Sequence, residues 1–190
     1  WKEEQPSFPT VNVPMLHITG WYDHNTDRTI TQAYEIQTNG ATGARAKQKL
    51  LIGPWAHGSI GDLDVGHLQF SNAWYTSSVA AVEFFDLHLR GISNGYASLP
   101  YVRYYTVNDD TWSESDTWPH ELSATQELFL HIDGTLSPEI PALATGEMMY
   151  TSVPTNPVPT LFGAILAESG SVTQGPGNIR SLELRDDVLV

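Results

Sequence analysis

The chain has 190 residues, nine of them basic and 22 acidic, for a net charge of −13, and hydrophobic residues make up 41% against 16% charged. That balance describes a globular chain long enough to bury a core, while the acidic excess, with no Lys/Arg cluster, disfavours nucleic-acid backbones and anionic membrane surfaces as partners because the electrostatic term is repulsive. Cysteine is absent, which excludes disulfides, thiolate metal sites and a cysteine nucleophile and leaves the compartment open.

The N-terminal Trp1-Lys2-Glu3-Glu4-Gln5 lacks the basic and apolar regions of a targeting leader, and no run approaches the roughly 20 apolar residues that span a bilayer. From about residue 11 to 92 the pattern alternates strand and helix, as in βαβα units. Val13-Pro14-Met15-Leu16-His17-Ile18-Thr19 is an apolar run closed by Gly20, and Lys49-Leu50-Leu51-Ile52 is another closed by Gly53. Both read as buried parallel strands. Between them Asp27 to Gln37 predicts a helix, with Ile30, Ala33, Tyr34 and Gln37 at helical spacing and Asn39-Gly40 as its stop. A stronger helix follows, capped at Ser71 or Asn72, with Trp74, Ser78, Ala81/Val82, Phe85 and Leu89 on the face expected to pack on the sheet and Arg90-Gly91 at its end.

From Pro100 onward short alternating strands separated by turn residues predict a β-sandwich. Tyr101 to Val107 is followed by Asn108-Asp109-Asp110, and Gln126 to Ile132 by Asp133-Gly134. Pro154, Pro157 and Pro159 argue for long connections between about 137 and 178. The expected boundary lies between Gly95 and Pro100, dividing 1–96 from 97–190. The chain starts without Met and ends in Asp186-Asp187-Val188-Leu189-Val190, which reads as mid-strand, so both ends are expected to be cut.

Two segments carry the chemistry: Gly20-Trp21-Tyr22-Asp23 and Gly53-Pro54-Trp55-Ala56-His57. Each ends an apolar strand, and open α/β sheets place their chemistry at the carboxyl ends of strands. Asp23 and His57 are 34 positions apart, room for one helix and one return strand. An Asp followed by a His suits the acid and base of a nucleophilic triad, in which the imidazole takes a serine proton and the carboxylate holds the imidazole tautomer. Asn25, two past the aspartate, is the substrate-binding candidate at the pocket mouth.

At these two segments the chain resembles the hydrolase group that includes cocaine esterase, α-amino acid ester hydrolases and X-Pro dipeptidyl peptidases. The likeness continues through Trp112, Trp118-Pro119, Leu128-Phe129-Leu130, Asn156 to Thr160 with Gly163, and Glu183 to Leu189. It implies α/β plus all-β architecture: the C-terminal portion of an α/β-hydrolase parallel sheet, followed by a truncated jelly-roll. The resemblance puts the triad aspartate on Asp23 and the histidine on His57. The family nucleophile, on a G-x-S-Y-x-G turn, has no match here, and its cap helices and oxyanion-hole tyrosine fall in a missing N-terminal segment. The implied reaction is hydrolysis of a small ester, amide or short peptide through an acyl-serine, with no cofactor and no metal. Implied partners are the missing segment and a second copy of the chain.

Other patterns are weaker. Gly91-Ile92-Ser93-Asn94-Gly95 has the letters G-x-S-x-G, but it follows a helix and comes after His57, so it reads as a helix cap and loop. Asp23-His24-Asn25-Thr26-Asp27 begins like a calcium loop, yet Arg28 and Tyr34 stand where Gly and Glu are required. His24 is expected to face a pocket or solvent, and His17, His67, His88, His120 and His131 show no metal-ligand spacing. Asp62, Asp64, Asp109, Asp110, Glu114 and Asp116 read as a solvated surface. Two rival readings are a β-sandwich module binding carbohydrate through Trp112 and Trp118, and a metal-dependent hydrolase using Asp23, His24 and His57.

Overall fold

The computed structural model describes residues 8–120, 123–142, 149, 151–166 and 172–188. Trp1 to Gln5 and the last two residues of the run ending at Val190 lie outside them. The chain forms two units, one of residues 1–121 with 162–177 and the other of 122–161 with 178–190. No helix among the described residues is long and apolar enough to cross a membrane.

In the first unit β1 (Leu16–Tyr22), α1 (Thr26–Asn39) and β2 (Lys49–Ala56) form a parallel βαβ unit. α2 (Thr76–Arg90) follows, then β5 (Val102–Thr106) and β6 (Thr111–Ser115). A short antiparallel pair, β3 (Asp64–Val65) and β4 (Leu68–Gln69), lies between β2 and α2. The main sheet has the order β1-β2-β5-β6, with β5 parallel to β2 and β6 antiparallel to β5. The strands after Pro100, expected to open a sandwich, therefore extend the parallel sheet. Period-two alternation marks a strand but does not say which sheet it joins; burial of both Val102 and Tyr105 suits a place beside β2.

β2 is covered on both faces, so its apolar run is unbroken. Leu50 and Ile52 pack with Ala33 and Ile30 of α1 and with Val102. Leu51, Trp55 and Ala56 pack on the other side with Ala80 and Phe84 of α2 and with Tyr105. In α1 the buried residues are Ala33 and Ile36, while Tyr34 is exposed.

α2 departs further from expectation. It buries Ser77, Ala80 and Phe84, leaving Trp74, Val82, Phe85 and Leu89 between 53% and 77% exposed. The helix carries two apolar stripes about 100° apart, and the one with small residues seats closest. Ser77 lies so near the loop at Gly61 that a Cβ there would meet its Oγ at 2.4 Å. Gly91 ends α2 in the left-handed conformation, φ 66°, so the 91–95 motif is a helix terminus.

In the second unit β7 (Phe129–Leu130) and β8 (Leu136–Ser137) pair antiparallel around a turn in which Gly134 has φ 83°. A one-turn helix, α3 (Arg180–Glu183), follows. Asp186 to Val188, the described part of the 186–190 run expected as strand, lies in turns instead: Arg185 N–H donates to Leu182, Val188 N–H donates to Arg185, and the Arg185 guanidinium grips Asp187 at 2.7 Å. A strand needs a paired neighbour for its backbone; these local bonds serve that need.

His17, inside β1, is buried, and its Nε2 donates to Gln48 Oε1 at 3.0 Å. Gln48 in turn donates to the carbonyls of Ala44 and Val13. Burial lowers the His17 pKa below its ordinary value, only partly opposed by the Gln48 bond. The unfolded chain therefore binds this proton more readily than the native one, and the neutral form contributes stability above about pH 6.5 that is lost as pH falls through the lowered native value. Urea titrations of wild type and His17→Gln across that window should show a steeper loss of stability on acidification in wild type; parallel slopes would exclude His17 as the responsible group.

Candidate active site

The site is created by a register shift between two neighbouring strands. Along β1 and β2, Leu16 pairs with Lys49 and the match runs to Gly20 with Gly53, but the next pair is Tyr22 with Ala56. Two steps on β1 thus oppose three on β2, a β-bulge. Pro54, which has no N–H to donate, sits inside the bulge, where a central strand tolerates it. Trp55 is fully buried and lies over Gly53 so closely that a Cβ there would be 2.2 Å from the indole.

The consequence is positional. Asp23 follows Tyr22 and His57 follows Ala56, so pairing Tyr22 with Ala56 sets the two side by side at the carboxyl ends of adjacent parallel strands. His57 Nδ1 lies 3.2 Å from Asp23 Oδ1 and 3.3 Å from Oδ2. In the neutral ring that contact puts the proton on Nδ1 and leaves the lone pair on Nε2. The Asp23 side chain is 4% exposed and the His57 side chain 49%, a buried carboxylate beside an accessible imidazole.

The carboxylate is also oriented by bonds from its own chain neighbours. Asn25 N–H donates to Asp23 Oδ1 at 2.8 Å, Asp23 N–H donates to the Gly20 carbonyl, and the Thr26 hydroxyl is held between the carbonyls of Gly20 and Asp23. These bonds fold the strand end directly into α1. On the histidine side, Ser59 Oγ accepts from Ala56 N–H at 3.2 Å, and Gly58 N–H donates to Gln174 Oε1 at 3.2 Å.

Asn25 is exposed at the start of α1, its amide 3.2 Å from His24 Nε2. His24 itself joins the site, with Nδ1 3.6 Å from Asp23 Oδ1 and its ring centroid 4.7 Å from that of His57. A cleft of about 600 Å³ opens beside these groups, walled by Trp21, Trp118 and Ile30 and reaching Asp23 and His24. A smaller cavity of about 230 Å³ under α2, lined by Lys49, Tyr96 and Tyr101, touches neither Asp23 nor His57.

The remaining sequence candidates are accounted for elsewhere. His17 is in the Gln48 network, His67 packs edge-on against Phe162, His88 stacks beside Phe84, and His131 bonds Ser137 Oγ. Asp62, Asp64, Asp109, Asp110, Glu114 and Asp116 are all exposed. Trp112 lies against Trp55 and Tyr105 under the Arg103 guanidinium, and Trp118 lies against Trp21 and Tyr104. Both indoles are half-buried in ring clusters, which counts against a flat sugar-binding platform. Sequence reading missed Gln174, which meets the loop after His57 from 116 positions away. No periodic or local signal could have named it.

A profile of the X-Pro dipeptidyl-peptidase family, S15, matches residues 1–59, the stretch that holds both Asp23 and His57. Cocaine esterase of Rhodococcus sp. (strain MB1 Bresler) is 29% identical over 188 residues, covering 93% of this chain and 31% of the esterase. The chain is similar to the cocaine esterase and X-Pro dipeptidyl-peptidase hydrolases. A Mycobacterium bovis protein named as a serine esterase is 28% identical over 152 residues, 79% of this chain and 22% of its own length. The crystal structure of an aminopeptidase from the marine sediment archaeon Thaumarchaeota archaeon superposes with a TM-score of 0.62 at 27% identity, over 83% of this chain and 26% of the aminopeptidase. The chain therefore spans less than a third of the length of these relatives.

The bulge makes Gly20 a test of the strand geometry at the candidate site. A Cβ there would lie 2.1 Å from the Trp55 carbonyl oxygen, a backbone atom that cannot swing aside. Gly20→Ala should destabilise the chain by about 1–3 kcal/mol in urea denaturation. Gly58→Ala, whose Cβ would meet only the end of the Gln174 side chain at 3.3 Å, should cost much less. Equal stability of the Gly20 variant and wild type would refute the close approach.

Proposed function

We propose that this chain supplies the acid and the base of a Ser-His-Asp triad that hydrolyses small esters, amides or short peptides, the serine lying on a segment outside these 190 residues. The observation that carries the reading is the contact of His57 Nδ1 with the buried Asp23 carboxylate at 3.2 Å. His57 Nε2 accepts the serine proton as the oxygen attacks the acyl carbon, and Asp23 stabilises the imidazolium that forms. The proton then passes to the leaving alcohol or amine, giving an acyl-serine, and a second round with water releases the acid.

Asn25, exposed beside His24, faces the arriving substrate, and the aromatic walls of Trp21 and Trp118 suit an apolar acyl or side-chain group. Of residues 97–190, read as a jelly-roll, β5 and β6 join the main sheet, and support for that reading is left to the antiparallel pair of β7 and β8. Ser59 does not serve as nucleophile, because its hydroxyl is tied to the Ala56 backbone.

In the full-length protein that carries this chain, a fluorophosphonate probe should add once, on a serine outside these residues. His57→Ala and Asp23→Asn should each lower kcat by roughly 10⁴-fold, as in other serine triads, with native circular dichroism retained. Wild-type turnover by the His57 variant would overturn the assignment.

A further inference from the structure

His24 is the residue of the site that the triad leaves unused, and it completes a different chemistry. Among the described residues Asp23, His24 and His57 form a group in which one donor atom from each lies within 4.8 Å of the others. Two imidazoles and one carboxylate are the donor set of a borderline transition metal, whereas calcium and magnesium prefer six or more oxygens.

The spacing fits such an ion. Tetrahedral zinc with bonds of about 2.0–2.1 Å holds its ligand atoms about 3.3 Å apart. Here Asp23 Oδ1 is 3.2 Å from His57 Nδ1 and 3.6 Å from His24 Nδ1. The third edge, between the two histidines, is bounded by the same 4.8 Å, and His24, solvent-accessible two residues before α1, can turn to shorten it. A partner for the ring's outer nitrogen is already in place: the Asn25 amide lies 3.2 Å from His24 Nε2. Turned to present its oxygen, that amide accepts the Nε2 proton of a ring coordinating through Nδ1, the usual outer support of a metal-bound histidine.

We propose that Asp23, His24 and His57 bind one divalent transition-metal ion, with Zn²⁺ as the reference, and that occupancy switches the triad off. The inhibitory part rests on the triad reading above. Triad chemistry needs the proton of His57 on Nδ1, facing Asp23, and a lone pair on Nε2. An ion on Nδ1 takes that place, and the displaced proton moves through solvent to Nε2. The imidazole stays neutral but has lost the lone pair that accepts the serine proton. The Asp23 carboxylate, now a ligand, no longer orients the ring. The ion and the catalytic tautomer are mutually exclusive on the same nitrogen.

The test is equilibrium dialysis of the full-length protein, first stripped with EDTA, against micromolar Zn²⁺, with elemental analysis and turnover measured on the same samples. One ion per chain is expected, with turnover falling as the site fills and returning with EDTA; Ca²⁺ should do neither. His24→Asn and His24→Ala should bind Zn²⁺ more than about 100-fold more weakly, since losing a ligand exceeds the 10–100-fold cost of losing an outer partner. Each should also keep its own EDTA-treated turnover when Zn²⁺ is added. Wild-type affinity in both His24 variants, or no bound ion in wild type, overturns the site. Zn²⁺ that binds but raises turnover overturns the inhibitory role and favours metal-dependent hydrolysis. Failure of the triad reading is told apart by His57→Ala in EDTA, where full turnover would refute the triad without touching the dialysis result.

Discussion

The pairing of Tyr22 with Ala56, one residue out of step with the pairing of Gly20 with Gly53, is the constraint on which the site depends. With the register unbroken, Asp23 would lie opposite Ala56 and His57 would stand one residue further on. The bulge absorbs the extra residue of β2, and the residues that build it are those that tolerate it. Pro54 needs no ladder partner, Gly53 lets the Trp55 indole fold back over the strand, and Gly20 lets the Trp55 carbonyl approach the backbone of β1. A tryptophan buried on one face of the sheet thus sets the spacing of two polar groups at its edge. Packing and chemistry are coupled through one stretch of backbone.

Burial of Asp23 raises the question of what keeps the carboxylate there. A buried charge is tolerated only when it is hydrogen-bonded and paired. The Asn25 N–H and the His57 ring supply those contacts, and the Asn25 bond is made locally as the chain turns into α1. The carboxylate is therefore oriented by its own neighbours, while the imidazole comes from the next strand. His24 Nδ1 lies 3.6 Å from the same Oδ1 that the Asn25 N–H and His57 Nδ1 contact, so three groups gather on one carboxylate oxygen.

The second helix illustrates how small residues decide orientation. Val82, Phe85 and Leu89 are more hydrophobic than Ser77 and Ala80, yet the smaller stripe faces the sheet. Close approach at Gly61 and the insertion of Phe84 among Tyr96 and the core aromatics outweigh the bare hydrophobicity of the other face. A hydrophobic stripe reports that a helix is amphipathic; which stripe is buried depends on the surface it meets.

The sequence by itself determined the elements that local physics can specify. The two glycine-closed apolar runs, the helix between them, the Asp133-Gly134 turn and the glycine end of α2 all follow from periodicity, buried runs and backbone freedom. The pairing of Asp23 with His57 was also legible, because strand ends one βαβ unit apart meet at the same edge of a parallel sheet. Only the tertiary structure decided the rest. The bulge that brings the two residues level is a relation between strands, and neither strand states it alone. The addition of β5 and β6 to the parallel sheet, the buried face of α2 and the reach of Gln174 to Gly58 depend on contacts across tens of residues. The proximity of His24 to His57 belongs with them, since the ring contact spans two strand ends. Such contacts are chosen by which surfaces fit once the chain is folded, and residue order records them only indirectly.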